Sequence, residues 1–411
     1  MFGLIILVNC FMTMLFKCLN KQLWTALLIM IAVMTVACSD SNNNNEPNPT
    51  PTDPVEEQLA QMSLRQKVGQ MFVIRPEALL VGMDDLHDVT ANAVTSLSDG
   101  MVSTNMQYPA GGIILYAHNI TTPSQITTLT KQLHSLPGSP LLYIDEEGGR
   151  VARIARNKKF DVPKYASMGA IGATGNPINA QQAGVSIGSY LRFYGFDVDL
   201  APVADVNTNP DNVVIGDRAF SDNPTVAASM VEAFLNGLHS SHVVGCLKHF
   251  PGHGDTKTDT HYGYAETLKS WQEMLNCEMI PFKRGIEAGA MFIMTAHIAT
   301  PNITGNNDPA TMSPVILQDK LRGELGFDGI IITDGMEMGA ITSQYTNAEA
   351  TIGAIKAGAD IILGPHNYKK AFDAVVQAVQ NGEISEERID QSVRRILRVK
   401  QALAIWPRYT N

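Results

Sequence analysis

The sequence predicts an α/β fold, a (β/α)8 barrel of the TIM type built as one domain. Three observations lead there. Eight short β-rich runs recur from residue 70 onward, and most are continuously apolar, as strands buried on both faces must be. Amphipathic helical stretches lie between them. Polar residues gather where the runs end, and in a closed parallel barrel those ends share one face.

The N-terminus stands apart from this pattern. Lys17 and Lys21 precede LWTALLIMIAVMTVA at 23–37. A basic region followed by a short apolar one is the order of a secretory signal, and this run is shorter than the ~20 residues a membrane span needs. The apolar stretch at 2–16 is foreign to such a signal, which makes Met14 a candidate start. The run ends in TVAC, followed by SDSNNNNEPNPTPTDP. This resembles a bacterial lipoprotein signal with Cys38 as the lipid-bearing residue, although Thr35 stands where a leucine is usual. An uncleaved anchor helix is the alternative. Asn, Pro and Thr dominate 39–54, a composition that reads as a disordered tether. The expected organisation is a signal at 1–37, a tether at 38–54 and one barrel domain at 55–411. The protein is expected to be exported, and lipid on Cys38 would be its sole link to a bacterial membrane.

The strand candidates are QMFVI (70–74), GGIILY (111–116), LLYID (141–145), FDVDLAPV (196–203), VVGCLKHF (243–250), MFIMTAHI (291–298), GIIIT (329–333) and DIILG (360–364). In the helix expected over 122–136, Pro123 suits the first turn, and Ile126, Leu129, Leu133 and Leu136 share a face. AEATIGAIKAGA stops at Gly358 just before a strand. The last helix starts after Ser385, a capping residue, with acids in its first turn. An open doubly wound sheet is the competing architecture, but no G-x-G-x-x-G follows the first strand.

Composition narrows the partners. The formal charge is −10, which argues against a nucleic-acid binder, since that needs a basic face. With Cys10 and Cys18 in the signal and Cys38 carrying lipid, Cys246 and Cys277 remain. Two cysteines make no disulfide framework, and each reads as a small buried apolar residue. A monomer is expected.

The strand exits carry the chemistry: IDEEGGR, LKHFPGHG, TAHI and ITDGMEM. Burying so many charged residues without partners would be costly, so a packing role does not account for them all. Asp334 sits at a strand tip before Gly335, placed as a nucleophile or as a cap for the next helix. Asp259 and His261 are two apart in a Gly- and Thr-rich segment. There the carboxylate can orient the imidazole for acid/base work. Gly252, Gly254 and Gly263 would let that segment swing. Lys248 and His249 end the fifth strand, as ligand donors or as partners of Asp145 or Asp205. Asp145 suits a pair of hydroxyls. Arg153 and Arg218 are ligand clamps or structural ion pairs.

KHFPGHGDTKTDTH resembles the signature of the β-N-acetylhexosaminidases of glycoside hydrolase family 3. IDEEGGRVARI, IGDRAF and GFDGIIITDGMEM resemble further segments of that family, in the same order and spanning about 60 to 400. Gly335 departs from the family, which often has a second acid there. The resemblance implies a retaining glycosidase that removes terminal β-linked N-acetylglucosamine. Asp334 would be the nucleophile, and His261 with Asp259 the acid/base dyad. Asp145, Arg153, Arg218, Lys248 and His249 would hold the terminal sugar. No cofactor and no metal are implied. A β-glucosidase or other β-glycosidase of the same family is the alternative. Two readings from other classes remain. One is a metal-dependent hydrolase using His249, His253, Asp255 and His261, whose spacing matches no standard ligand motif. The other is a non-catalytic sugar-binding lipoprotein.

Overall fold

The computed structural model describes residues 53–80, 82, 92–257, 260 and 263–405, the last by its backbone alone. The signal, Cys38, the tether up to Thr52, Asp259 and His261 lie outside the described residues.

Asp53 caps the first described helix, Pro54–Gln61, by accepting from the Val55 N–H at 3.0 Å. Beyond it, eight strands form one parallel sheet: β1 Phe72–Ile74, β2 Gly112–Ile114, β3 Leu141–Ile144, β4 Val198–Asp199, β5 Val244–Phe250, β6 Phe292–Thr295, β7 Ile330–Ile332 and β8 Ile362–Leu363. Their spatial order is β8-β1-β2-β3-β4-β5-β6-β7. The ends of this row meet, because Ile332 bridges Ile361 in parallel and the Ile361 N–H donates to the Ile331 carbonyl at 3.1 Å. The sheet is therefore a barrel, the predicted (β/α)8 architecture. Every strand residue is buried, which is why the runs read as continuously apolar.

All eight strands are shorter than the runs, and the fourth and sixth lose the most. The fourth keeps only Val198–Asp199, because Pro202 has no N–H to offer a ladder. The sixth ends at Thr295, and its Ile298–Ala299 pairs instead with Ala265–Glu266 in a separate two-stranded sheet. The helices fall where their signals lie. Thr122 caps Pro123–His134, with Ile126, Leu129 and Leu133 buried. Asn347–Ala357 stops at Gly358, whose φ of 124° suits a residue without Cβ. Ser385 Oγ accepts the Arg388 N–H at 3.2 Å at the head of Glu386–Ile405.

At the barrel's N-terminal face the polar contacts are structural. Asp360, leading into β8, binds Arg322 at 2.5 Å, Ser392 at 2.6 Å and Arg395 at 3.3 Å, which ties the last helix to the barrel. Cys246 is buried, Cys277 half-buried, and both are free thiols, as expected.

Candidate active site

At the opposite face the strand exits enclose a cavity of about 340 Å³, within the range of small-molecule sites. Arg75 follows β1 and Tyr116 follows β2. Asp145, Glu147 and Arg153 follow β3, Arg218 lies beyond β4, and Lys248 and His249 belong to β5. Asp334 and Glu337 follow β7. Met294, Leu200 and Leu363 supply apolar wall. The fold thus brings Asp334, Asp145, Arg153, Arg218, Lys248 and His249 into one pocket.

Five of these charges form a connected network. Lys248 Nζ lies 3.1 Å from Asp145 and 2.6 Å from Glu147. Arg218 grips Glu147 with both arms, Nε at 2.8 Å and Nη2 at 2.7 Å, and Arg153 Nη2 meets Asp145 at 3.0 Å. Burial alone would raise both carboxyls. Lys248 with Arg153 holds Asp145 below its usual range, and Arg218 with Lys248 holds Glu147 below its own. Ligand donor and ion-pair partner are therefore not alternatives for Lys248, Arg153 and Arg218: each is paired with a carboxylate and also lines the cavity. Between them Glu146, fully buried, accepts the N–H groups of Arg153, Ile154 and Ala155 and the Tyr190 hydroxyl, which pins the EEGGR loop.

Asp205 organises the segment after β5. It accepts the His249 N–H at 3.2 Å, His249 Nδ1 at 2.7 Å and the His253 N–H at 2.6 Å. Burial opposes its charge, but His249 and these bonds keep its carboxyl below the usual range. This corrects the swinging-segment expectation for Gly252 and Gly254. A Cβ on Gly252 would lie 2.6 Å from the Glu278 side chain, and one on Gly254 only 1.9 Å from the Val206 carbonyl. These glycines serve close packing; only Gly263 has open space beside it. Among the described residues the metal-ligand set is not assembled either. His253 engages Thr256 at 2.6 Å and Thr260 at 3.2 Å with its two ring nitrogens. Asp255 turns to Thr208, Thr267 and Lys269 and lines a separate surface cleft.

Asp334 is no helix cap: the next helix, Gly339–Thr342, begins after Met338. Its Oδ1 accepts the Gly335 N–H at 2.7 Å. Burial works against its charge, but nearby His249 and His297, that N–H and Lys248 outweigh it and lower the pKa. Asp334 therefore stays an anion, as a nucleophile must. His297, the histidine of TAHI, braces the turn through Nε2 on the Gly335 carbonyl at 3.0 Å and Nδ1 on Thr311 Oγ1 at 2.8 Å.

Several lining residues escaped the sequence reading. Glu147 lay inside a quoted motif yet was not singled out. Arg75 directly follows the first apolar run and Tyr116 ends the second, so the strand-exit rule applied to the first two strands reaches both. Glu337 lies three residues after Asp334. It pairs with Arg75, and both Arg75 and Arg153 lie over the Tyr116 ring, at 4.6 and 5.5 Å. Burial raises the Glu337 carboxyl despite Arg75.

A barrel whose strand exits gather paired carboxylates, cations and one isolated carboxylate in a pocket has the layout of an enzyme active site. Residues 63–399 match the family model described as the glycosyl hydrolase family 3 N terminal domain, and the chain belongs to that family. It is 34% identical over 337 residues to the Beta-hexosaminidase A of Pseudoalteromonas piscicida, covering 76% of this chain and 56% of that one. It is 35% identical over 279 residues to the Beta-hexosaminidase of Stenotrophomonas maltophilia, covering 67% and 81%. Among solved structures, the family 3 beta-N-acetylglucosaminidase from Paenibacillus sp. superposes with a TM-score of 0.77 at 35% identity, over 85% of this chain and 64% of that one. The chain thus spans little more than half of the first of these relatives.

Proposed function

We propose that the protein is a retaining β-N-acetylhexosaminidase that removes terminal β-linked N-acetylglucosamine. The observation that carries this reading is Asp334, an anionic carboxylate lining a pocket in which Lys248, Asp145 and Glu147 are already paired with one another. Such preorganised donors bind a sugar without rearranging first. The names of the relatives favour an N-acetylglucosaminide over other sugars.

In this reading Asp334 attacks the anomeric carbon as the glycosidic bond breaks, forming a glycosyl-enzyme. His261, oriented by Asp259, gives its proton to the leaving oxygen. It then takes one from the water that attacks the intermediate. Asp145, Arg153, Arg218, Lys248 and His249 hold the ring hydroxyls. A histidine acid/base replaces the second carboxylate of most retaining glycosidases, and its imidazole, protonated as the acid and neutral as the base, in neither form repels Asp334 as a second carboxylate would. We also propose that Cys38 carries lipid and that the barrel works as a monomer on a membrane tether.

The test is a panel of p-nitrophenyl β-glycosides of N-acetylglucosamine, N-acetylgalactosamine, glucose and xylose. Turnover of the N-acetylglucosaminide should lead. Mass spectrometry of a quenched reaction should find one sugar on the peptide containing Asp334. Preference for glucose or xylose, or inversion at the anomeric carbon, would overturn the reading.

A further inference from the structure

The wall of the cavity formed by Arg75 and Glu337 has no part in the mechanism above, yet its polar atoms are incompletely used. A guanidinium and a carboxylate usually close two parallel hydrogen bonds. Here only one is made, from Arg75 Nη2 to Glu337 Oε1. Arg75 Nε and Glu337 Oε2 are both buried and both lack a hydrogen-bond partner. Buried polar groups are seldom left in that state, and a specific unpaired one calls for an explanation. Both residues line the same cavity as Asp334. Held in the wall of one pocket, an unpaired N–H donor and an unpaired carboxylate acceptor suit a substituent that itself accepts one hydrogen bond and donates one.

We propose that Arg75 and Glu337 read one neutral substituent of the terminal sugar, Nε–H giving to its oxygen and Oε2 accepting from its O–H or N–H. A hydroxyl has this chemistry, and so does an acetamido group. An anionic substituent at that position would face the Glu337 carboxylate and be rejected. Gly335 supports the assignment. A Cβ there would lie 3.3 Å from Glu337 Oε2, so the second acid common at that position in the family would crowd and repel Glu337. The departure at 335 and the carboxylate at 337 are thus one feature. Tyr116, under the Arg75 guanidinium, holds the pair against the wall.

This inference rests on the glycosidase reading, and its test separates the two. Wild type and Glu337→Gln are assayed on p-nitrophenyl N-acetyl-β-glucosaminide, on its 6-deoxy analogue, and on the glucoside, which lacks the acetamido group. Glutamine keeps the shape but loses the charged acceptor. The wild-type to variant ratio of kcat/KM should be about 10- to 100-fold on the full substrate. It should fall toward one on the analogue missing the contacted group, and that analogue identifies the substituent. Arg75→Lys, which keeps the charge and loses Nε–H, should give the same pattern if Glu337→Gln folds poorly. An equal loss on all three substrates, or no loss on any, overturns the proposal. So does a loss confined to poor leaving groups, which would make Glu337 a proton donor. If wild type cleaves none of the three, the glycosidase reading fails separately. The same ratios are then read from the Kd of the free sugars by calorimetry.

Discussion

Replacing Lys248 by methionine tests the charge network at its centre. Methionine keeps an unbranched stem of similar length and removes the ammonium. Lys248 is 3% exposed at its side chain and Glu147 1%, so neither gains water when the pair is broken. Each lost contact, at 3.1 and 2.6 Å, carries a gross attraction of about 5–6 kcal/mol at an effective dielectric near 20. Much of that is offset by no longer burying the ammonium. Breaking a buried pair by removing one partner typically costs about 3–5 kcal/mol. Asp145 keeps Arg153 and Glu147 keeps Arg218, which brings the expected loss to about 2–4 kcal/mol. In a domain of this size that is a fall in Tm of roughly 3–6 °C. The kcat/KM should fall by about 10- to 100-fold, as for one charge-assisted hydrogen bond to the sugar. The cation also lowers both carboxyl pKa values, so without it their ionised forms disappear at higher pH. The acidic limb of kcat/KM against pH should therefore move upward. Differential scanning fluorimetry and a pH series of initial rates give all three readouts. A variant within 1 °C in Tm and within threefold in kcat/KM would refute the network as the organiser of the sugar site.

Asp334→Asn should lower turnover by about 10³-fold or more without loss of fold; a purified variant keeping a tenth of the activity would exclude it as nucleophile. His261→Ala should cost far more on alkyl glycosides than on activated phenols and should let glycosyl-enzyme accumulate; equal losses would send the search for the proton donor elsewhere. Asp199 is buried with Oδ2 unpartnered, and burial raises its carboxyl well above its ordinary value. A raised carboxyl stabilises the fold at low pH, and the contribution is lost as pH rises through the folded value. Asp199→Asn should therefore leave Tm unchanged near pH 4 and raise it progressively toward pH 8; a lower Tm at every pH would contradict this. EDTA should leave activity unchanged, whereas loss restored by zinc would assign a metal role. Cys38→Ala should move the protein from the membrane to the soluble fraction, and an unlipidated wild type would end that reading.

Part of this chain can be read without coordinates because its periodicities are local. Strands buried on both faces must be apolar throughout, so the eight runs announce themselves. Pro123, Gly358 and Ser385 mark helix ends by their own backbone and capping chemistry. A barrel then obliges the exits to share a face, so Asp145, Lys248, His249 and Asp334 could be grouped from their positions alone. Arg153 and Arg218 could be named as ligand clamps or structural ion pairs, without a choice between the two.

Which partner each charge takes was decided in space. Whether Lys248 serves sugar or carboxylate depends on Glu147, which is 101 positions away in the chain yet 2.6 Å from its Nζ. Whether Gly252 and Gly254 mean motion or packing depends on Glu278 and Val206 lying against them. The Arg75–Glu337 pair joins the first strand's exit to the seventh's, 262 residues apart, and no sequence period links them. Local chemistry thus determined the elements and the face on which function sits. Only closure of the barrel set the pairings, because electrostatic and packing energies fall off over a few ångströms, and sequence separation says nothing about those distances.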